Sequence, residues 1–476
     1  MAIVLKNSLT KKKEEFVPLV SGEIKIYSCG VTVYDDCHVG HARSLFIFDA
    51  LKKYLEYRGY KVKLVRNITD VDDKIINRAK QDGVEFALIR QRYIDNYYRD
   101  LKDFEVEKAD FEPLATENIF YMTDHIKRLM EKGFAYEVDG DVYFAVRSFA
   151  HYGQLSGQSL DDMMTAVRID KDEKKRDSLD FALWKKSKPD EPSWSSSWGQ
   201  GRPGWHIECS TMSMRYLRTE TLDIHAGGRD LIFPHHENEI AQAEALTGKT
   251  FARYWIHHGL LTINGKKMSK SLGNFVTIQD ALKKYKPDVL KLFFLSAHYG
   301  SAMDFSYEAI DKTRKAYEKI EEFLSKAASL KLDPQKAGEA CKEEVLRIVQ
   351  QFEMAVDDDF NTAQGLAVLF ELLTLGNRYL SLSQSSSDAA YVADCFLRLA
   401  HALGLSLKIS LESKQFSDSE RIKIADTSSM KLDREKIEEL ILERRMARQD
   451  KNYKRADEIR DFLKANGVIL EDTQKS

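Results

Sequence analysis

A chain of 476 residues, 43% hydrophobic and 31% charged, is too long for a single core and has the balance of a globular protein with several domains. No run reaches the roughly 18 apolar residues of a membrane span, and the apolar stretch in MAIVLKNSLTKKKEEF is too short for a signal peptide, its lysines following instead of preceding. A net charge of −3 excludes a globally basic nucleic-acid binder, and five cysteines without CxxC spacing exclude a disulfide framework and predict reduced thiols in a cytoplasmic setting.

Residues 23–28 (EIKIYS) read as a strand that exits at Cys29-Gly30. An amphipathic helix is predicted from about 40 to 58, with Gly59 as its C-cap. Residues 61–67 form the next strand. This rhythm predicts a parallel, doubly wound sheet whose ligands bind at strand carboxyl ends, where Cys29 and His38-Val39-Gly40-His41 fall. Residues from about 85 to 200 are less regular and read as an insertion, with a hairpin around Val138-Asp139-Gly140-Asp141 and a loop over 192–204. The strand pattern returns at Leu222 and runs into Gly227-Gly228. Phe233-Pro234-His235 then opens a helix with Pro234 near its first turn. After a short strand at 260–263, the tight-turn pair Asn264-Gly265 delivers the chain to Lys267-Met268-Ser269-Lys270-Ser271. Beyond about residue 306, 308–330 and 340–403 carry helical spacing. A polar break over 410–429 precedes a last helical unit at about 431–470.

The chemistry concentrates in two places. His38 and His41 sit at a helix start that offers free amides and a positive dipole end, and Gly40 lets a ring or phosphate approach the backbone. Lys267 and Lys270, on a Gly/Ser-flanked loop, can close on an α-phosphate as charge develops there. Taken singly, the first motif also reads as a surface cap and the second as a solvated basic loop; in this order they point to ATP-dependent activation. Six of the twelve histidines fall between His206 and His258. There His235 and Glu239, at i and i+4, share a helix face, with Cys209 upstream and Cys29 at the strand end. Two thiolates, an imidazole and a carboxylate make a plausible zinc set, although adjacent His235 and His236 leave the imidazole open. Asn67 to Lys74 is an acidic turn that reads as a helix cap; it lacks the glycine and terminal glutamate of a calcium loop. Asp230 is either a turn aspartate or a group for an amine or ribose hydroxyl. Positions 444–455 hold six basic residues against one acidic, with Arg444, Arg448, Lys451 and Arg455 on one helical face, solvated or in contact with RNA.

His38-Val39-Gly40-His41 and Lys267 to Ser271 resemble the two signatures of class I aminoacyl-tRNA synthetases. Tyr27-Ser28-Cys29-Gly30 with the residues to Asp35, Asn67 to Lys74, GRPGWHIECS at 201–210, FPHHENEI at 233–240 and RADEIRD at 455–461 resemble the cysteine-specific members, over nearly the whole chain. The resemblance implies a Rossmann-like doubly wound α/β catalytic domain with an insertion, followed by an all-α helical bundle and a small C-terminal anticodon-binding domain. The implied boundaries are 1–110 and 201–258 for the catalytic halves, 111–200 for the connective insertion, 259–307 for the lysine loop and stem-contact region, 308–410 for the bundle and 411–476 for the last domain. It implies one Zn2+ on Cys29, Cys209, His235 and Glu239, binding the substrate thiolate, and Mg2+ with ATP. It implies catalytic His38, His41, Lys267 and Lys270, with Gly40, His41 and the two lysines on ATP. An amino-acid pocket would include Cys29, Gly30, Thr69, Trp205 and Asp230. The implied partners are ATP, L-cysteine and the tRNA for cysteine, with RNA contact favoured for the basic face; nothing in the sequence resembles a dedicated dimer helix, so a monomer is expected. Val39 stands for the usual isoleucine, Ala226 where glycine is common, and no Gly-Thr-Trp-Arg-like tail follows Glu471. A cysteine ligase acting on an amino sugar would share the adenylating core but lack the roughly 170 residues of helical end. A non-catalytic RNA-binding relative would not keep both signatures and all four ligands.

Overall fold

Val4–Asn7 (β1) and Lys12–Glu15 (β2) pair as an antiparallel hairpin, which gives the N-terminal apolar stretch its place. Asn7 donates to Arg253 O at 2.9 Å and accepts from Trp255 N at 3.0 Å, tying β1 to the main sheet. The computed structural model describes residues 2–166, 174–268, 273–330, 333–382, 386–408, 420–424, 440, 444, 453–465 and 468–472. Two units form, Met1–Ile409 and Ser410–Ser476.

In the first unit, Glu23–Thr32 (β3), the helix Val39–Tyr57 (α1) and Lys61–Thr69 (β4) make the expected crossover. β3 does not end at Cys29-Gly30. It continues to Thr32 through a register shift between Ser28 and Val31, a bulge that leaves Cys29 and Gly30 out of the ladder. The glycine answers to a close approach: a Cβ there would fall 1.6 Å from Asn67 O, while Gly30 N donates to Asn67 Oδ1 at 2.8 Å. Asp72 caps Asp73–Asp82 (α2) by accepting from Lys74 N, as the acidic turn predicts. Phe86–Asp103 (α3) follows. Residues 111–114 then return beside β4, Arg66 N donating to Phe111 O and Ile68 N to Pro113 O.

The insertion carries Ile119–Glu131 (α4), the predicted hairpin Ala135–Val138 (β5) and Asp141–Phe144 (β6), Leu160–Ala166 (α5) and Phe181–Lys186 (β7). Asp139 and Gly140 make the hairpin turn at positive φ, 53° and 89°. The stretch 192–204, expected as a loop, instead holds Trp194–Ser196 (β8) and Gly199–Pro203 (β9), completing an antiparallel sheet in the order β5-β6-β7-β9-β8. Its glycines misled the local reading. Gly201 serves packing, since a Cβ there would sit 2.2 Å from Trp184 Nε1.

Trp205–Leu217 (α6) and Leu222–Gly228 (β10) lead to a separate wide turn, Ile232–His236, ahead of Glu237–Thr247 (α7). The regular helix therefore begins after Pro234, not at it; Phe233 is extended (φ −137°, ψ 132°), as a residue before proline prefers. Ala252–His258 (β11) completes a parallel sheet in the order β11-β10-β3-β4. Connections diverge between β3 and β10, which opens a ligand crevice at their carboxyl ends. Leu261–Ile263 (β12) and Lys266–Lys267 (β13) form the hairpin on Asn264-Gly265. After Ile278–Leu282 (α8) and Pro287–Leu295 (α9), Met303–Phe305 (β14) pairs parallel to β12. Tyr307–Ser329 (α10), Glu339–Asp357 (α11), Thr362–Ser381 (α12) and Ser386–Ala402 (α13) build the expected bundle around buried Phe323, Phe352, Leu372 and Phe396. Tyr54 and Arg58, late in and just past α1, both bond to Asp357 and tie the bundle to that helix.

The second unit is not simply helical. Glu420–Ile424 (β15) pairs antiparallel with Val468–Asp472 (β16), and a helix spans Tyr453–Ala465. The apolar run at its end is thus a strand that local periodicity assigned to a helix. Among the described residues no helix is long and apolar enough to cross a membrane.

Candidate active site and metal centre

The backbone settles the tautomers of the first motif. His38 caps α1: its Nδ1 accepts from Gly40 N at 3.1 Å and from His41 N at 3.2 Å. His41 Nδ1 in turn accepts from His38 N at 3.3 Å. An amide N–H can only donate, so both Nδ1 atoms are unprotonated and each neutral ring carries its hydrogen on Nε2. The rings stack at 3.7 Å. Burial pushes His38 down to about 4 and His41 well below its ordinary value. Two neutral donors therefore stand at the helix N-terminus.

Gly40 keeps this end open: a Cβ there would lie 2.8 Å from His38 Cε1 and 3.7 Å from Met268 Cε. That contact sets the second motif beside the first. Lys267 falls in β13, while Lys270 lies outside the described residues.

Burial also holds His125 and His258 down to about 4. The ordinary imidazole value is about 6.5, so between there and 4 the unfolded chain binds more protons. Stability is then full above about pH 6.5 and falls as pH drops toward 4. Carboxyls raised by burial act in the opposite sense, Asp100 up to about 6 and Glu208 well above its ordinary value. Against them stand seven imidazoles that burial pushes down, at positions 38, 41, 125, 206, 236, 257 and 258. Urea midpoints taken at about pH 7, 6 and 5 are expected to decrease in that order; a flat series would remove neutral imidazoles from the account.

The four residues that could hold a metal ion come from β3, α6, α7 and the turn before α7. The β3 bulge presents Cys29, α6 presents Cys209, and the turn before α7 and α7 itself supply His235 and Glu239. Their donor atoms all lie within 4.8 Å of one another, and all four residues are buried. Cys29 Sγ is 3.8 Å from Cys209 Sγ and 3.4 Å from Glu239 Oε1, and His235 Nε2 is 3.1 Å from Glu239 Oε1. A second set, Cys29, His225, His236 and Glu239, overlaps the first. In it His225 Nε2 bonds Glu239 Oε2 at 2.8 Å, and His236 is engaged by His257 at 2.8 Å.

The charges fit a cation. Against burial, the Cys29 hydrogen bond and His235 draw the Cys209 thiol down. Against burial, Glu239 and Cys209 hold the His235 imidazole up to about 10. A buried thiolate and carboxylate require positive charge, which the imidazole proton supplies and a dication could replace.

Trp205 and Thr69 adjoin this cluster, and Asp230 follows the strand β10. Trp205, 37% exposed, stacks on His235 at 4.0 Å. Thr69 donates to Glu208 at 2.7 Å. Asp230 is exposed just after β10, its Oδ1 2.4 Å from where a Gly228 Cβ would stand. Sequence reasoning missed Glu208 and His225, both fully buried. Glu208 lies inside a quoted motif, and His225 inside the strand LDIH, but neither has spacing that announces a partner. Of the basic face, Arg444 is buried, Arg455 is exposed and paired with Glu458 at 3.3 Å, and Arg448 and Lys451 lie outside the described residues.

Known proteins resemble the chain in sequence and in fold. Residues 15–315 match the family described as the tRNA synthetases class I (C) catalytic domain, and residues 351–408 match the DALR domain. The Mycobacterium tuberculosis methionyl-tRNA synthetase in complex with methionyl-adenylate is similar at TM-score 0.59 and 16% identity, covering 80% of this chain and 90% of that one. The LeuRS–tRNA–LeuAMS complex of Agrobacterium radiobacter reaches TM-score 0.59 at 11% identity, covering 82% and 85%. Such identities speak for the fold alone. Fold, signatures and family match together define a class I aminoacyl-tRNA synthetase. The cysteine--tRNA ligase of Persephonella marina is 49% identical over 480 residues, 99% of this chain and 98% of that one. That of Geobacter metallireducens is 48% identical over 481 residues with the same coverage. The chain belongs to the cysteine--tRNA ligase family.

Proposed function

We infer that the chain activates L-cysteine with Mg-ATP and passes the cysteinyl group to the 3′-terminal ribose of the tRNA for cysteine. The observation that carries this reading is the four-donor cluster at the strand ends where His38 and His41 begin α1. The amino-acid carboxylate attacks the α-phosphorus of ATP, a C–O–P bond forms and pyrophosphate leaves. His38 and His41 donate from Nε2 to phosphate oxygens, and Lys267 and Lys270 offset charge that develops in the transition state. Cys29, Cys209, His235 and Glu239 would hold Zn2+, which when bound supplies a soft Lewis acid for the substrate thiolate. His235 is favoured over His236 because its set contains both thiols. Trp205 covers the His235 ring, Thr69 is oriented by Glu208, and Asp230 takes the substrate amine. Serine would leave a thiolate-selective site unmatched, so discrimination needs no separate editing step.

Arg455, with Arg448 and Lys451, is assigned to tRNA, and the second unit to the anticodon; Arg444, expected on the same solvent face, is buried and is left out of that surface. The five cysteines, all unpaired and buried, suit a cytoplasmic setting, and the chain acts as a monomer.

The test is one preparation and two assays, cysteine-dependent ATP–pyrophosphate exchange and aminoacylation. Both are expected with zinc-loaded protein, and exchange is lost on chelation and restored by zinc. No exchange from a zinc-loaded sample would sink the reading. Exchange without aminoacylation would favour the amino-sugar ligase.

A further inference from the structure

Arg43, on α1 two residues past His41, is completely buried, yet no carboxylate pairs with it among the described residues. Its partners are four backbone carbonyls. Nη1 donates to Gly259 O at 2.8 Å and Leu260 O at 3.1 Å; Nη2 donates to Tyr299 O at 3.0 Å and Ser301 O at 2.7 Å. Nε has no hydrogen-bond partner among the described residues. Burying a cation against neutral acceptors is costly, and a position serving only to pack the core is more cheaply filled by an apolar side chain.

What the guanidinium holds is the base of the hairpin that carries the lysine motif. Gly259 and Leu260 join β11 to β12, which turns at Asn264-Gly265 into β13 and Lys267. Tyr299 and Ser301 lie just before β14, the parallel partner of β12. The two segments cross so closely that a Cβ on Gly259 would lie 2.1 Å from Ser301 O. Three residues earlier on the same helix, about 4.5 Å along its axis, Gly40 faces Met268, which follows β13 and so lies at the same open end of the hairpin as Gly259 and Leu260. One helix thus meets both sides of the hairpin at its open end, where β12 is entered and β13 is left, while presenting His38 and His41.

We propose that Arg43 is a positioning residue for adenylate formation, fixing the hairpin of the lysine motif at a set distance from the two histidines. The planar fork matters: four acceptors on two segments are met by two nitrogens in one plane, which an ammonium cannot reproduce. The proposal rests on the activity inferred above, and its tests separate the two.

Arg43→Lys keeps the charge and is the variant least expected to unfold. In wild type, exchange establishes the activity independently. In Arg43→Lys, kcat for cysteine-dependent exchange should fall roughly 10- to 100-fold, as for a misplacement of about 1 Å, while KM for cysteine and zinc content stay within about twofold. Arg43→Ala should regain part of its kcat with millimolar guanidinium, which wild type ignores. Hydrogen exchange, which needs no activity, should show faster exchange at residues 259–267 with the bundle helices unchanged. A folded Arg43→Lys with wild-type kcat, or with unaltered protection of 259–267, overturns the proposal. So does a loss in which cysteine KM and zinc content collapse together with kcat.

Discussion

Cys209→Ser is expected to lower cysteine-dependent ATP–pyrophosphate exchange by at least about 10³-fold and to release the metal, measured as zinc per chain after desalting. A serine hydroxyl is a hard donor that stays protonated near neutrality, whereas this thiol is drawn toward its thiolate by Cys29 and His235. With one anionic ligand gone, Cys29, His235 and Glu239 remain, and the selective cage for a substrate thiolate is lost. The site is also core: Cys209 is 1% exposed, so an unpartnered hydroxyl there costs about 1–3 kcal/mol. Thermal unfolding separates the two effects. A variant that stays folded and zinc-free but inactive supports the ligand role. Retained zinc with retained exchange would remove Cys209 from the metal set.

His38→Asn and His38→Gln should split the two jobs of one imidazole. Nδ1 caps α1, and Nε2 is left to donate to phosphate. Asparagine places an acceptor near the Nδ1 position and is among the best N-caps, so stability should hold to within about 0.5 kcal/mol. It offers no donor at the Nε2 position, and kcat for exchange should fall roughly 10²- to 10³-fold. Glutamine reverses the pattern, reaching toward Nε2 with its amide but losing the cap, at about 1 kcal/mol. Stopped-flow adenylate formation and urea unfolding on the pair decide it. If asparagine proves the more active, the capping role governs the site and the donor role is wrong.

Residues that act on neighbours a few positions away were legible from the chain alone. The His38 motif at the start of α1, the Asp72 cap, the Asp139-Gly140 and Asn264-Gly265 turns and the bundle helices all stand as local chemistry predicts. Backbone donors there have partners within about four residues, so sequence spacing is nearly spatial spacing. Cys29, Cys209 and Glu239 could also be picked out from the residues themselves, whereas spacing left His235 and His236 level and only the resemblance to a family chose His235.

Elsewhere the short range misled. Glycines at 199 and 201 read as loop, but they belong to a strand packed on Trp184, and Cys29-Gly30 read as a strand end where the strand only bulges. The end of the helical unit expected over about 431–470 instead enters the strand Val468–Asp472, whose partner is Glu420–Ile424. By itself, then, the sequence determined the reaction class, the two signature motifs and most helices, because each is written in residues close along the chain. Only the tertiary structure decided that Cys29 meets Cys209 across 180 positions and Glu239 across 210, and that Arg43 grips carbonyls more than 210 positions away. Those meetings depend on sheet register and helix packing, which no local pattern encodes.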